Sequence, residues 1–207
     1  MIQAPPLEER PVTSLRGVGP ALATTLERLG LRTVQDVLFH LPLRYEDRTR
    51  VVPIGTLRPG ERAVIEGEVQ LAEVVIRRRR ALLCRIADGS GFLTLRFFHF
   101  SAAQQEALVR GTRLRCFGEV RPGPGGLEIV HPEYRTLVPG GAGPADESLT
   151  PVYPTTEGVQ QGRMRMLTAL ALAQLAGGGL RDWLAPEVLG GSGLPSLESA
   201  VRFVHRP

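Results

Sequence analysis

The chain has 207 residues, 43% of them hydrophobic and 22% charged, an ordinary balance for a globular protein of one or two small domains. No apolar run approaches the roughly 18 residues of a membrane helix, and the N-terminal MIQAPPLEER lacks the basic-then-apolar form of a signal peptide, so a cytoplasmic setting with no membrane partner is expected. The formal net charge is +4, its 25 basic residues are all arginine, and two cysteines with four scattered histidines exclude a disulfide framework and a Cys/His zinc site.

Residues 1–50 read as helical. Leu22, Leu26 and Leu29, then Val34, Val37, Leu38 and Leu41, fall at helical spacing, which predicts helices over 21–29 and 33–41. Pro20 suits a first helical position, Gly30 stops the first helix, and Thr33 can cap the second. The stretch LRGVGPALATTL fits a helix-hairpin-helix pattern, in which two glycines turn the backbone and aim N–H groups outward. That makes Gly17 and Gly19 candidate phosphate contacts, although the same pattern also packs helices without any ligand.

Residues 51–138 change period from 3.6 to 2. The alternating sets are Ile65, Val69 and Leu71 around Gly67; Leu82, Cys84 and Ile86; Leu93, Leu95 and Phe97; Leu114, Cys116 and Val120; and Leu127 with Ile129 after the turn-rich PGPGG. A short helix over 102–109 separates the third set from the fourth. Five strands with a helix at that place follow the order of an OB-fold, a small Greek-key β-barrel. Residues 139–207 begin with the Gly/Pro-rich PGGAGPADE and continue into short helices over 161–175, over 180–189 and from Ser196. Three short amphipathic helices bury little among themselves, so they are expected to pack on something larger. The fold class is α+β: a small helical N-terminal region, a five-stranded barrel and a short helical C-terminal linker.

Two features of the barrel segment carry chemistry. The run Arg77, Arg78, Arg79 and Arg80 lies between the first and second strands, and residues 63–120 hold nine arginines against six acids. In an OB-fold that loop borders the oligonucleotide face, so the run is a candidate for phosphate contacts, which supply affinity without sequence choice. The stretch LTLRFFHF is the other. Alternate side chains on a strand point to opposite faces, so Leu93, Leu95 and Phe97 face the interior while Thr94, Arg96 and Phe98 face out. An aromatic beside an arginine on an outer face suits base stacking; the alternative is that another segment covers Phe98. Phe100 stands at the strand end, where parity does not settle its direction. No Walker motif, nucleophile elbow, paired metal carboxylates or Cys/His cluster occurs, which leaves no candidate catalytic, cofactor-binding or metal-ligating residue.

With these residues in hand, the sequence resembles the N-terminal wedge region of the RecG family of bacterial ATP-dependent DNA helicases. The resemblance runs in order through LRGVGPALATTLERLGLRTVQDVLFHLPLRYEDR, DGSGFLTLRFFHF, GGLEIVHPEY, LTPVYPTTEG and LPSLESAVRFVHRP. It implies a DNA-binding wedge that splits stalled replication forks and Holliday junctions during recombination and repair. Partners would be forked or branched DNA, the motor domain of the same parent chain and single-stranded-DNA-binding protein. The family's fork-point stacking Phe corresponds by motif to Phe98. A second stacking aromatic, four residues on, corresponds to Ala102, which leaves Phe100 as the substitute, and His99 stands where Asn is more usual. The P-loop and the ATP and Mg²⁺ sites of the family's motor have no counterpart in these residues. The chain is therefore expected to be a fragment that binds branched DNA without hydrolysing ATP. The alternatives are a stand-alone OB-fold module that binds junctions, as RuvA does with its modules in the reverse order, and a protein-interaction scaffold; an NAD-dependent DNA ligase would need four zinc-binding cysteines.

Overall fold

The computed structural model describes residues 5–76, 79–138, 148–175 and 180–207. In chain order the elements are α1 (Pro20–Glu27), α2 (Val34–Phe39), β1 (Arg44–Glu46), β2 (Arg62–Ile76), β3 (Arg80–Ala87), β4 (Phe92–Phe97), α3 (Ala102–Ala107), β5 (Arg113–Gly123), β6 (Gly126–Val130), β7 (Glu133–Thr136), β8 (Thr150–Val152), α4 (Gln161–Ala173), α5 (Pro186–Ser192) and α6 (Leu197–His205). They form two compact units, Met1–Asp47 with Ser148–Pro207, and Arg48–Glu147. Arg77, Arg78 and the 139–147 segment lie outside the described residues.

The first unit joins the two ends of the sequence. α1 starts with Gly19 as its cap and Pro20 at its first position, where the missing N–H costs nothing. α2 carries a full capping box: Thr33 Oγ1 accepts from Asp36 N–H at 3.1 Å, and the Asp36 carboxylate accepts from Thr33 N–H at 2.8 Å. Neither helix can bury its own apolar stripe. Leu26, Val34, Val37 and Leu38 close instead on Met164, Leu167, Ala171 and Leu172, the helically spaced face of α4. β1 pairs antiparallel with β8, a two-stranded ribbon that sequence periodicity did not predict.

Buried polar contacts fix the ends of this unit. His205 of α6 shares a 2.8 Å hydrogen bond through Nε2 with the Leu38 carbonyl, and its Nδ1 lies 2.8 Å from the Tyr153 hydroxyl. One neutral tautomer satisfies both, with Nε2–H donating and Nδ1 accepting. The helix expected over 180–189 begins instead at Pro186. Proline disfavours the helical region for the residue before it, so Ala185 stays extended and α5 starts one residue later.

The second unit is the barrel. Strands pair in the order β2-β3-β4-β6-β5, and β5 returns to β2, so these five strands close into a ring. β4 and β6 run parallel; the other pairings are antiparallel. All five expected strands and the short helix are present, and β7 is a sixth. β6 and β7 both pair along β5, interrupted at His131 and Pro132. His131 is at φ 49°, the one non-glycine at positive φ among the described residues, and Pro132 has no N–H for the ladder, so one long strand reads as two. Ile65, Val69, Leu82, Cys84, Ile86, Leu93, Leu95, Phe97, Leu114, Cys116, Val120 and Ile129 fill the interior.

Leu71, expected inside, is exposed. A bulge between Val69 and Leu71 inserts Gln70 and flips the parity of everything beyond it. The two cysteines are buried free thiols, as their places in apolar strands imply. Burial pushes the Cys84 thiol up to about 12, and Cys116 rises for the same reason, with Cys84 adding to it, so neither is a reactive thiolate.

Candidate nucleic-acid interface

The outer surface of β3, β4 and β6 forms a groove of about 440 Å³, lined by Leu83, Arg85, Thr94, Arg96 and Phe98 and bounded by the turn at 124–127. Its floor follows from strand parity. Leu93, Leu95 and Phe97 are buried in the barrel, whereas Thr94 and Arg96 are half-buried and Phe98 is 36% exposed. Burial of Phe97 alone contributes roughly 1.5–3 kcal/mol to the fold.

Phe98 sits one residue past the end of β4, and His131 holds it there. The Phe98 backbone N–H donates to His131 Nε2 at 3.3 Å, and the two rings lie 5.8 Å apart in a tilted arrangement. The same imidazole meets Phe97 edge-on at 6.3 Å and stacks on His99 at 5.8 Å. The His131 backbone N–H donates to the Arg96 carbonyl at 2.8 Å, extending the β4–β6 ladder by one rung. Burial, and then the neighbouring His99, hold the His131 imidazole below its ordinary value. The neutral form is the one whose Nε2 can accept from Phe98.

Arg96 shares the outer face as predicted, but its guanidinium is engaged. Nη2 and Nε donate to Glu128 Oε2 at 2.6 and 2.9 Å, with both side chains largely covered. Glu128 comes from β6, the parallel neighbour, and nothing in the linear sequence signals that pairing. Phe100 packs against the barrel core and carries the Arg80 guanidinium 4.5 Å above its ring, so its face is already occupied. Arg79 is described and exposed, while Arg77 and Arg78 fall outside the described residues.

Gly17 and Gly19 lie in the helical unit. Gly17 turns the chain at φ 86°, and a Cβ there would stand 3.4 Å from Arg163 Nη1. Leu15, Val18 and Leu26 around them are buried in that unit's core, so the hairpin has a packing role whatever else it touches.

Sequence reasoning passed over two groups. Phe92 shares its parity with Thr94, Arg96 and Phe98, so the alternation already put it on the outer face. It is 52% exposed, and Arg85 of β3 lies over its ring at 5.1 Å. His131 gave no such signal, because its role comes from the kink between β6 and β7. Among the described residues no group of His, Cys, Asp and Glu is placed to hold a metal ion, and no helix is long and apolar enough to cross a membrane.

Residues 11–174 match the family model of the RecG wedge domain. The chain belongs to the RecG wedge family. It is 48% identical over 201 residues to the ATP-dependent DNA helicase RecG of Escherichia coli K12, covering 97% of this chain and 29% of that protein. The Pasteurella multocida RecG is 45% identical over 204 residues with the same coverage of each chain. A solved structure of RecG bound to a three-way DNA junction matches with a TM-score of 0.78 and 24% identity, covering 100% of this chain and 28% of that one, which shows that the fold is shared. This chain thus spans about three-tenths of the length of the curated RecG proteins it matches.

Proposed function

We propose that this chain is the DNA-binding wedge of a RecG-type helicase, and that its barrel engages the branch point of forked DNA through Phe98. One observation carries the reading: Phe98 stands past the end of β4 lining an open groove, 36% exposed, with His131 held against its backbone N–H and its ring. An aromatic ring so held offers a stacking surface worth about 1–3 kcal/mol per base whatever the sequence. The family membership and the positive net charge support the same partner. On this reading ATP and Mg²⁺ serve a motor elsewhere in the parent protein, and single-stranded-DNA-binding protein is a further partner of that assembly.

The test is fluorescence anisotropy of the chain with a three-way junction and with a linear duplex of equal length. Phe98→Ala should weaken junction binding about fivefold or more and linear binding far less. Equal loss on both substrates, or no loss, would refute the assignment and favour a protein-docking role for the barrel.

A further inference from the structure

We propose that Phe92 and Arg85 form a second base-stacking station on the outer face of the barrel, which takes a base of the unpaired strand leaving the branch point. The inference rests on the reading of Phe98 and extends it along the strand. Phe92 opens β4 on its outer face and Phe98 stands one residue past the strand's end, six residues on and at the same parity. At about 3.3 Å per residue they are about 20 Å apart, and OB-folds hold single strands of about 4 nucleotides or more. The groove of about 440 Å³ is lined by Arg85, Thr94, Arg96, Glu128 and Phe98, and Phe92 stands beside it, under the Arg85 guanidinium.

Three features distinguish this pair from the other arginine-over-phenylalanine contacts. The Phe92 ring is 52% exposed, whereas Phe117, under Arg48 and Arg62, is 6% exposed, and Phe100 packs on the core. Arg85 has no carboxylate partner among the described residues, whereas Arg48 is clamped by Glu133 and Arg96 by Glu128. The adjoining turn is also free of bulk. A Cβ on Gly126, itself at φ 115°, would stand 3.6 Å from the Phe92 ring, and one on Gly125 would stand 3.8 Å from Arg85 Nη2. A guanidinium lying on one ring face leaves the other face for a base and keeps donors for the adjoining phosphate. Because Arg96 is paired with Glu128, Arg85 is, among the described residues lining this groove, the cation without a carboxylate partner.

The experiment uses the 207-residue chain and forks whose one arm carries an unpaired oligo(dT) tail of 0, 4, 8 or 12 nucleotides. The wild-type chain should bind tailed forks more tightly than blunt ones. Phe92→Ala should lower affinity for the 8-nucleotide fork at least about fivefold more than for the blunt fork, equivalent to about 1 kcal/mol. Phe92→Tyr, which restores a ring, should keep the wild-type ratio, and Arg85→Gln should reduce it. A wild-type chain indifferent to tails, or a Phe92→Ala chain that loses equally on both forks or not at all, would overturn the second station. Phe98→Ala, run beside it, separates the two readings. Loss at the blunt fork with no tail effect removes only the Phe92 station, whereas no loss from Phe98→Ala removes the wedge assignment itself.

Discussion

Arg96 is the residue for which sequence and structure point in different directions, and its removal separates a structural ion pair from a phosphate contact. Its guanidinium donates twice to one oxygen of Glu128, at 2.6 and 2.9 Å, and the two side chains are 17% and 12% exposed. Breaking a fully buried pair costs about 3–5 kcal/mol, and a hydrogen bond to a charged group contributes about 1.5–3. The residual exposure and solvent screening favour the lower range, so a coupling of about 1.5–3 kcal/mol is expected. Arg96→Ala, Glu128→Ala and the double variant, unfolded in urea, close a double-mutant cycle that reads the coupling directly. At roughly 4–8 °C per kcal/mol for a unit of about 100 residues, Arg96→Ala should lower the barrel's melting midpoint by about 6–24 °C. The salt dependence of fork binding supplies the second readout. A lost phosphate contact would flatten the log–log slope by about 0.7–0.9. Additive single variants, or a slope flattened by that amount in Arg96→Ala, would refute the structural assignment and return Arg96 to the DNA.

Replacing residues 77–80 with alanine should weaken binding to forks and duplexes alike and flatten the salt slope; an unchanged slope would make the run a solvated loop. In the helical unit, burial foremost, and His40 beside it, hold His205 below its ordinary value of 6.5 against the opposing Leu38 carbonyl. The unfolded chain then takes up this proton before the folded one does, so the stabilisation is complete above pH 6.5 and declines as pH falls below it. The midpoint of that unit should drop between pH 7 and 5, and less steeply in His205→Asn; equal slopes in the two proteins would remove His205 as the cause.

Local signals carried much of the fold. Proline and glycine marked the ends of α1, and Thr33 with Asp36 wrote the start of α2. Alternation in LTLRFFHF separated Phe97 in the core from Phe98 outside, because a strand's side-chain period of two needs no knowledge of its neighbours. The same alternation reaches Phe92, which the reading of the sequence passed over. Pairing across the chain was beyond such signals. The bulge at Gln70, the split of one long strand into β6 and β7, and the joining of residues near both termini into one core all depend on which segments meet in space.

The sequence by itself determined the chain order of the main barrel strands and of the helix among them, the outer-face parity of Phe98 and the family resemblance, because periodicity, turn residues and motif order are properties of adjacent positions. Only the tertiary structure decided which arginines remain available to DNA. Glu128, 32 residues away in the chain, neutralises Arg96, Arg80 lies on Phe100, and Arg85, over the open ring of Phe92, keeps its charge for the groove. A guanidinium's partner is set by the strand beside it, and strand neighbours in a closed barrel are set by how the whole sheet closes.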